Sequence, residues 1–197
     1  MRTDTHWDDR SFAGANVQRG TRPLGPVECA TLRAQTLALS EAIWHEDELR
    51  QVRFNNVHAQ TQSVILIFCD GWPDVRISYH RGWSYLGQAA AEVMSSIVAA
   101  HYPRGGKVLR AMMARLPAGA RIGRHRDLHP SFAASHRIHV PLQTNPDVVF
   151  IVGDEQVPLH EGVAFELNNS LPHEVLNNGV AARIHFIFDY APALNGS

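Results

Sequence analysis

The chain has 197 residues, 45% hydrophobic and 19% charged, the balance of an ordinary soluble globular domain long enough to bury a core. A formal net charge of −1 creates no field that draws nucleic acid or an anionic membrane, and the longest apolar run, residues 63–69, is far too short to cross a bilayer. Cys29 and Cys69 lie far apart, fit neither a disulfide scaffold nor a cysteine metal site, and read as reduced thiols of a cytoplasmic protein.

Residues 1–25 are polar, broken by Gly and Pro, and without apolar periodicity; they are expected to form a loose leader and carry no secretory signal. Residues 26–197 are expected to form one domain. From about 26 to 49 the chain is rich in Ala, Leu and Glu. Leu32, Leu37, Leu39, Ile43 and Trp44 fit one broad helical face, and Pro26 can open the helix. Residues 63–68 read as a strand, and the stretch around Gly71 and Pro73 as a loop with short extended pieces. A second helix is expected over about 87–102, ended by Pro103 and Gly105–Gly106. From about 106 to 190 the texture changes to short extended segments that alternate apolar and polar residues between Gly, Pro, Asn and Asp. So many short strands predict a mainly β unit, a sandwich, jelly roll or small barrel, with the helices ahead of it.

Histidine is unevenly spread: seven of the 12 fall between 125 and 185. The stretch "GRHRDLHP" sets His125 and Asp127 two residues apart, and residues i and i+2 of a strand face one side. His173, in "NNSLPHEVLNN", can return on another strand. Two imidazoles and one carboxylate on one face of an octahedron leave three positions open, the arrangement of non-haem Fe(II) oxygenases. Read alone, His-x-Asp is a frequent chance pair near turns. In "ARIHFIFD", Arg183 lies opposite Ile184, Phe186 and Phe188. Inside a barrel it would be a costly cation unless an anion such as a dicarboxylate meets it in a bidentate fork; on an edge strand it is an ordinary surface arginine. Arg137 and His139 alternate with Ile138 and Val140, so both face one side, towards a pocket or towards solvent. Asn55, His58, Gln60 and Arg115 are weaker candidates for the pocket mouth or a substrate carboxylate, each also readable as a surface residue.

The order His-x-Asp, "RIHVPLQTN" and "GVAFELNNSLPHEVLNNG" to "RIHFIFD" resembles the aspartyl/asparaginyl β-hydroxylase family of Fe(II)/2-oxoglutarate-dependent dioxygenases over about residues 108–190. The resemblance implies a double-stranded β-helix (a jelly-roll, cupin-like core) with Fe(II), 2-oxoglutarate and O2 as cofactor and co-substrates. It makes His125 and His173 the iron-binding histidines and Arg183 the contact for the distal carboxylate of 2-oxoglutarate. Arg137 and His139 match polar co-substrate contacts. Well-known animal members hold iron by two histidines alone; this chain carries Asp127 at the corresponding place, as the wider superfamily does. Their membrane anchor and helical-repeat region have no counterpart in this sequence, so their secretory-pathway substrates are not carried over.

The resemblance implies hydroxylation of an amino acid side chain, free or as a peptidyl Asp- or Asn-like residue. No nucleic acid or membrane partner is expected, and the sequence is silent on oligomeric state. Two other readings remain open at this level. One uses the same oxidant for desaturation or cyclisation in natural-product assembly; the other is a cupin-like module that binds a metal or a small acid without catalysis.

Overall fold

A computed structural model of the chain describes residues 20–46 and 60–193. Two antiparallel sheets face each other. The larger has seven strands in the order β1 (Thr21–Pro26), β9 (Val163–Leu167), β6 (His136–Gln143), β11 (Arg183–Ala191), β4 (Lys107–Leu116), β2 (Gln62–Asp70) and β3 (Arg76–Tyr79). The smaller has four, β5 (Arg121–His125), β10 (His173–Asn177), β7 (Val148–Val152) and β8 (Glu155–Gln156). This is a double-stranded β-helix, as the sequence resemblance implies. Helices α1 (Ala30–Leu37), α2 (Glu41–Trp44) and α3 (Arg81–His101) cover the outer face of the large sheet, and one turn, α4 (Pro130–Ala133), follows β5.

Alternation along the central strands assigns each side chain to a layer. On β11, Ile184, Phe186, Phe188 and Tyr190 join the core under α1 and α3, while Ile187 packs with Met112 and Ala114 on the other face. Arg183, His185 and Asp189 share that inner face by period two. On β6, Ile138, Val140 and Leu142 point out to the helices, leaving Arg137 and His139 inside. Between the sheets, Leu116, Ile122, Phe150, Phe165 and Val175 form a second apolar cluster that closes one part of the barrel.

Three boundaries differ from expectation. Thr21–Pro26 is not leader but an edge strand, paired with Leu167–Val163 of β9. Its prolines hid it, and they are tolerated because an edge strand needs ladder donors on one side only; Gly25, at φ +90°, sits at the register shift after Pro23. The first helix therefore starts at Ala30, not Pro26, and breaks before α2. The long helix starts at Arg81, six residues before the expected position 87. Its buried Gly82, Leu86, Ala89, Ala90, Val93, Met94 and Ile97 repeat at helical spacing. Gly82 lies so close to the Ile65 carbonyl oxygen that a Cβ would collide with it. That glycine brings α3 onto β2, yet in sequence it reads as punctuation. Among the described residues, no helix is long and apolar enough to cross a membrane.

Candidate active site

Strands β5 and β10 pair so that His125 and His173 are direct Cα partners, and their rings lie 4.3 Å apart. Each ring is oriented by its own backbone. His125 Nδ1 lies 2.8 Å from the Gly123 carbonyl oxygen, and His173 Nδ1 lies 3.0 Å from that of Leu171. A carbonyl only accepts, so both Nδ1 atoms carry the proton and both Nε2 atoms keep a lone pair for a metal. Burial pushes the His173 pKa down; His125 and Arg137 add to this and Asp127 opposes it, so the ring is neutral near pH 7.

Asp127 is placed differently from the expected strand position. β5 ends at His125, opposite the first residue of β10, so no partner strand remains for the next residues. Asp127 lies just beyond, its N–H donating to the Asn169 carbonyl at 3.2 Å. Its carboxylate still reaches the histidines, with Oδ1 3.9 Å from His125 Nε2. One ligand atom from each of His125, Asp127 and His173 lies within 4.8 Å of the others. Two imidazoles with bared Nε2 atoms and one carboxylate form a donor set that suits Fe(II). His129, the third member of the opening stretch, does not join them. Its Nδ1 caps α4, accepting from the Ser131 N–H at 3.2 Å.

Arg137 lies inside the barrel, as alternation requires, but its guanidinium is committed to carboxylates. Nε and Nη2 donate to Asp189 Oδ1 and Oδ2 at 2.9 and 3.0 Å, and Nη1 is 2.9 Å from Asp127 Oδ2. Both edges of the fork thus face carboxylates of the chain itself, where the sequence suggested a co-substrate contact. Arg110 adds a second buried cation, 3.4 Å from Asp189 Oδ2 and donating to Ser131 Oγ at 2.7 Å. The Phe132 ring lies 4.5 Å from each guanidinium.

Arg183 is 1% exposed. Its Nη2 donates to His185 Nδ1 at 2.7 Å, and its guanidinium lies 5.7 Å from the Phe150 ring centre. Because a guanidinium only donates, His185 carries its proton on Nε2. That buried Nε2–H has no hydrogen-bond partner among the described residues. Burial holds the His185 pKa well below the ordinary imidazole value, with Arg183 and His139 acting in the same direction. His139 stacks on Phe165 at 5.2 Å, and its Nδ1 is 3.3 Å from His185 Nδ1. A buried cation and an N–H donor set among aromatic rings suit one carboxylate of a small dicarboxylic acid.

The weaker candidates lie elsewhere. Arg115 faces outward, forking on Glu41 at 2.7 and 2.5 Å above the Trp44 ring, so it is not available to a substrate in the barrel. Gln60 accepts from the Arg121 N–H at 2.9 Å and ties the start of β2 to β5. Asn55 and His58 lie outside the described residues. Sequence reasoning missed Asp189, Arg110 and His185 as parts of this cluster. Their signal was period two: Arg183, His185 and Asp189 fall on one face of β11, and Arg110 shares a face with Met112.

The model of the family described as aspartyl/asparaginyl β-hydroxylase matches residues 46–192. No curated protein matches the chain. Among solved structures, similar folds include an oxidoreductase of the 2OG-Fe(II) oxygenase family from Burkholderia pseudomallei, at 14% identity over 93% of this chain and 91% of that one, TM-score 0.62. A prolyl hydroxylase from Trichoplax adhaerens, solved with a hypoxia inducible factor peptide fragment, is 14% identical over 94% and 92%, TM-score 0.58. HygX from Streptomyces hygroscopicus, solved with nickel, 2-oxoglutarate and hygromycin B, is 12% identical over 94% and 88%, TM-score 0.52.

Proposed function

Because this chain belongs to the aspartyl/asparaginyl β-hydroxylase family of 2-oxoglutarate-dependent non-haem iron oxygenases, we propose that it hydroxylates the side chain of an amino acid, free or within a peptide. His125, Asp127 and His173 hold Fe(II), Arg183 receives the distal carboxylate of 2-oxoglutarate, and His139 lines the same pocket. When bound, the iron couples oxidative decarboxylation of 2-oxoglutarate, to succinate and CO2, with insertion of one oxygen atom of O2 into a substrate C–H bond.

The observation that carries this reading is the pair of imidazoles whose Nδ1 protons are held by Gly123 and Leu171, which turns both Nε2 atoms towards one space beside Asp127. The protein's own part is positional. The β5–β10 ladder sets the spacing of the histidines, Arg183 and the aromatic walls of Phe150 and Phe165 orient the co-substrate, and the apolar cluster between the sheets keeps water from that end. Structures with this fold hold a peptide fragment in one case and hygromycin B with 2-oxoglutarate in another, in keeping with a small or peptidyl substrate. A cytoplasmic location agrees with Cys29 and Cys69, both buried free thiols.

The test is a mass-spectrometric screen over free amino acids and short Asp- or Asn-containing peptides, with Fe(II), 2-oxoglutarate and O2. Support is a product one oxygen atom heavier than its substrate, formed in step with succinate. Coupled oxidation of an oligonucleotide or a fatty acid, with none of any amino acid or peptide, would contradict the substrate class.

A further inference from the structure

We propose that Arg137 is the positioning residue for the iron ligand Asp127, with Asp189 as its buried counter-charge; this rests on the metal centre proposed above. Arg137 on β6 and Asp189 on β11 are Cα partners in the large sheet. The Nε and Nη2 edge of the guanidinium grips both Asp189 oxygens, and the Asp189 side chain is 1% exposed. That fork fixes the plane and direction of the guanidinium, so Nη1 is delivered from the rigid large sheet towards the small one. There it meets Asp127 Oδ2 at 2.9 Å.

Asp127 needs such a hold. It lies past the end of β5, where one backbone bond to Asn169 replaces the ladder. A carboxylate can bind a metal through one oxygen or through both. With Oδ2 engaged by Arg137, Oδ1 is the atom turned to His125 Nε2. A single oxygen then enters the metal site, and three coordination positions stay open for co-substrate and O2. The Phe132 ring packs 4.5 Å from the guanidinium groups of both Arg137 and Arg110. Two arginines and two aspartates also balance in charge, which lowers the cost of burying them.

The test is anaerobic Co(II) titration of the purified metal-free chain without 2-oxoglutarate, read by affinity and by the visible ligand-field spectrum. Arg137→Gln should weaken Co(II) binding about 10- to 100-fold, the usual effect of removing an outer-shell partner of a metal ligand, and alter the spectrum. Arg137→Lys keeps the buried positive charge but cannot bridge two carboxylates, so it should fall between; it also serves if the Gln variant fails to fold. In an Asp127→Ala background, Arg137→Gln should change Co(II) affinity less than about twofold, because coupled residues are non-additive. An equal loss in both backgrounds would overturn the proposal. So would unchanged Co(II) affinity in Arg137→Gln; if 2-oxoglutarate titrated afterwards into that Co(II)-loaded variant bound more weakly than in wild type, Arg137 would return to the co-substrate. A wild-type chain that binds no Co(II) would remove the metal centre itself, and this role with it.

Discussion

Replacing Arg183 with Met separates co-substrate recognition from folding. The guanidinium is 1% exposed and lies against the His185 imidazole and the Phe150 ring. Losing a charge-assisted contact to a buried carboxylate costs about 2–4 kcal/mol. At about 1.4 kcal/mol per tenfold, the 2-oxoglutarate dissociation constant should rise about 30- to 700-fold. The metal-free, ligand-free protein should lose far less. His185 Nδ1 forfeits one donor, roughly 1 kcal/mol, and the Met sulfur against Phe150 returns part of it. For a chain of this size that lowers the melting temperature by about 2–4 °C at most. The assay is calorimetric titration of 2-oxoglutarate into Mn(II)-loaded protein, with melting curves before and after ligand. Arg183→Lys should recover only part of the affinity, since an ammonium cannot form the fork. Wild-type affinity in Arg183→Met would refute the anchor, and the search would move to His139 and His185.

His185 makes stability pH-dependent. Its pKa is held down by burial first and by Arg183 and His139 next, so below about 6.5 the unfolded chain binds a proton that the folded one does not. That stability is complete above the unfolded value and falls as pH drops; His185→Gln should flatten part of the decline in urea midpoints between about pH 7 and about pH 5, and an unchanged slope would put the proton elsewhere. Glu166→Gln should cost about 1–3 kcal/mol, because the buried carboxylate joins Arg22 of β1 at 2.6 Å, the Tyr102 hydroxyl at 3.0 Å and His136 Nδ1 at 2.6 Å; denaturant midpoints equal to wild type would refute this. Burial alone would raise the Glu166 pKa, but His136 and Arg22 hold it low, so the wild-type advantage should disappear only in acid. Gly82→Ala should cost about 1–3 kcal/mol by forcing α3 off the Ile65 carbonyl, measured by melting.

The parts of the site that could be read from sequence are those set by alternation. β11 is buried on both faces, so Arg183, His185 and Asp189, which share one face with only Ile187 between them, mark a barrel wall rather than a wet surface. The two histidines proposed as iron ligands stand out through the His-x-Asp spacing and the later His173 block, and each sits at a strand end. What the sequence hides is pairing between distant strands. Nothing local says that Arg137 meets Asp189 across the β6–β11 ladder, or that the fork then points to Asp127. Arg115 shows the opposite error: it alternates as plausibly as Arg110, yet a shift of one position sends it outside to Glu41. The strand at Thr21–Pro26 was invisible because its partner β9 lies about 140 residues away and its prolines mimic a linker.

The most direct measurement of the account is the visible spectrum of the anaerobic protein with Fe(II) and 2-oxoglutarate. A charge-transfer band should appear in the wild type. His125→Ala and His173→Ala should each abolish both the band and succinate release, while Asp127→Ala should retain a weakened band, since two histidines with bared Nε2 atoms remain. A band and full turnover in either histidine variant would contradict the assignment of these residues as iron ligands.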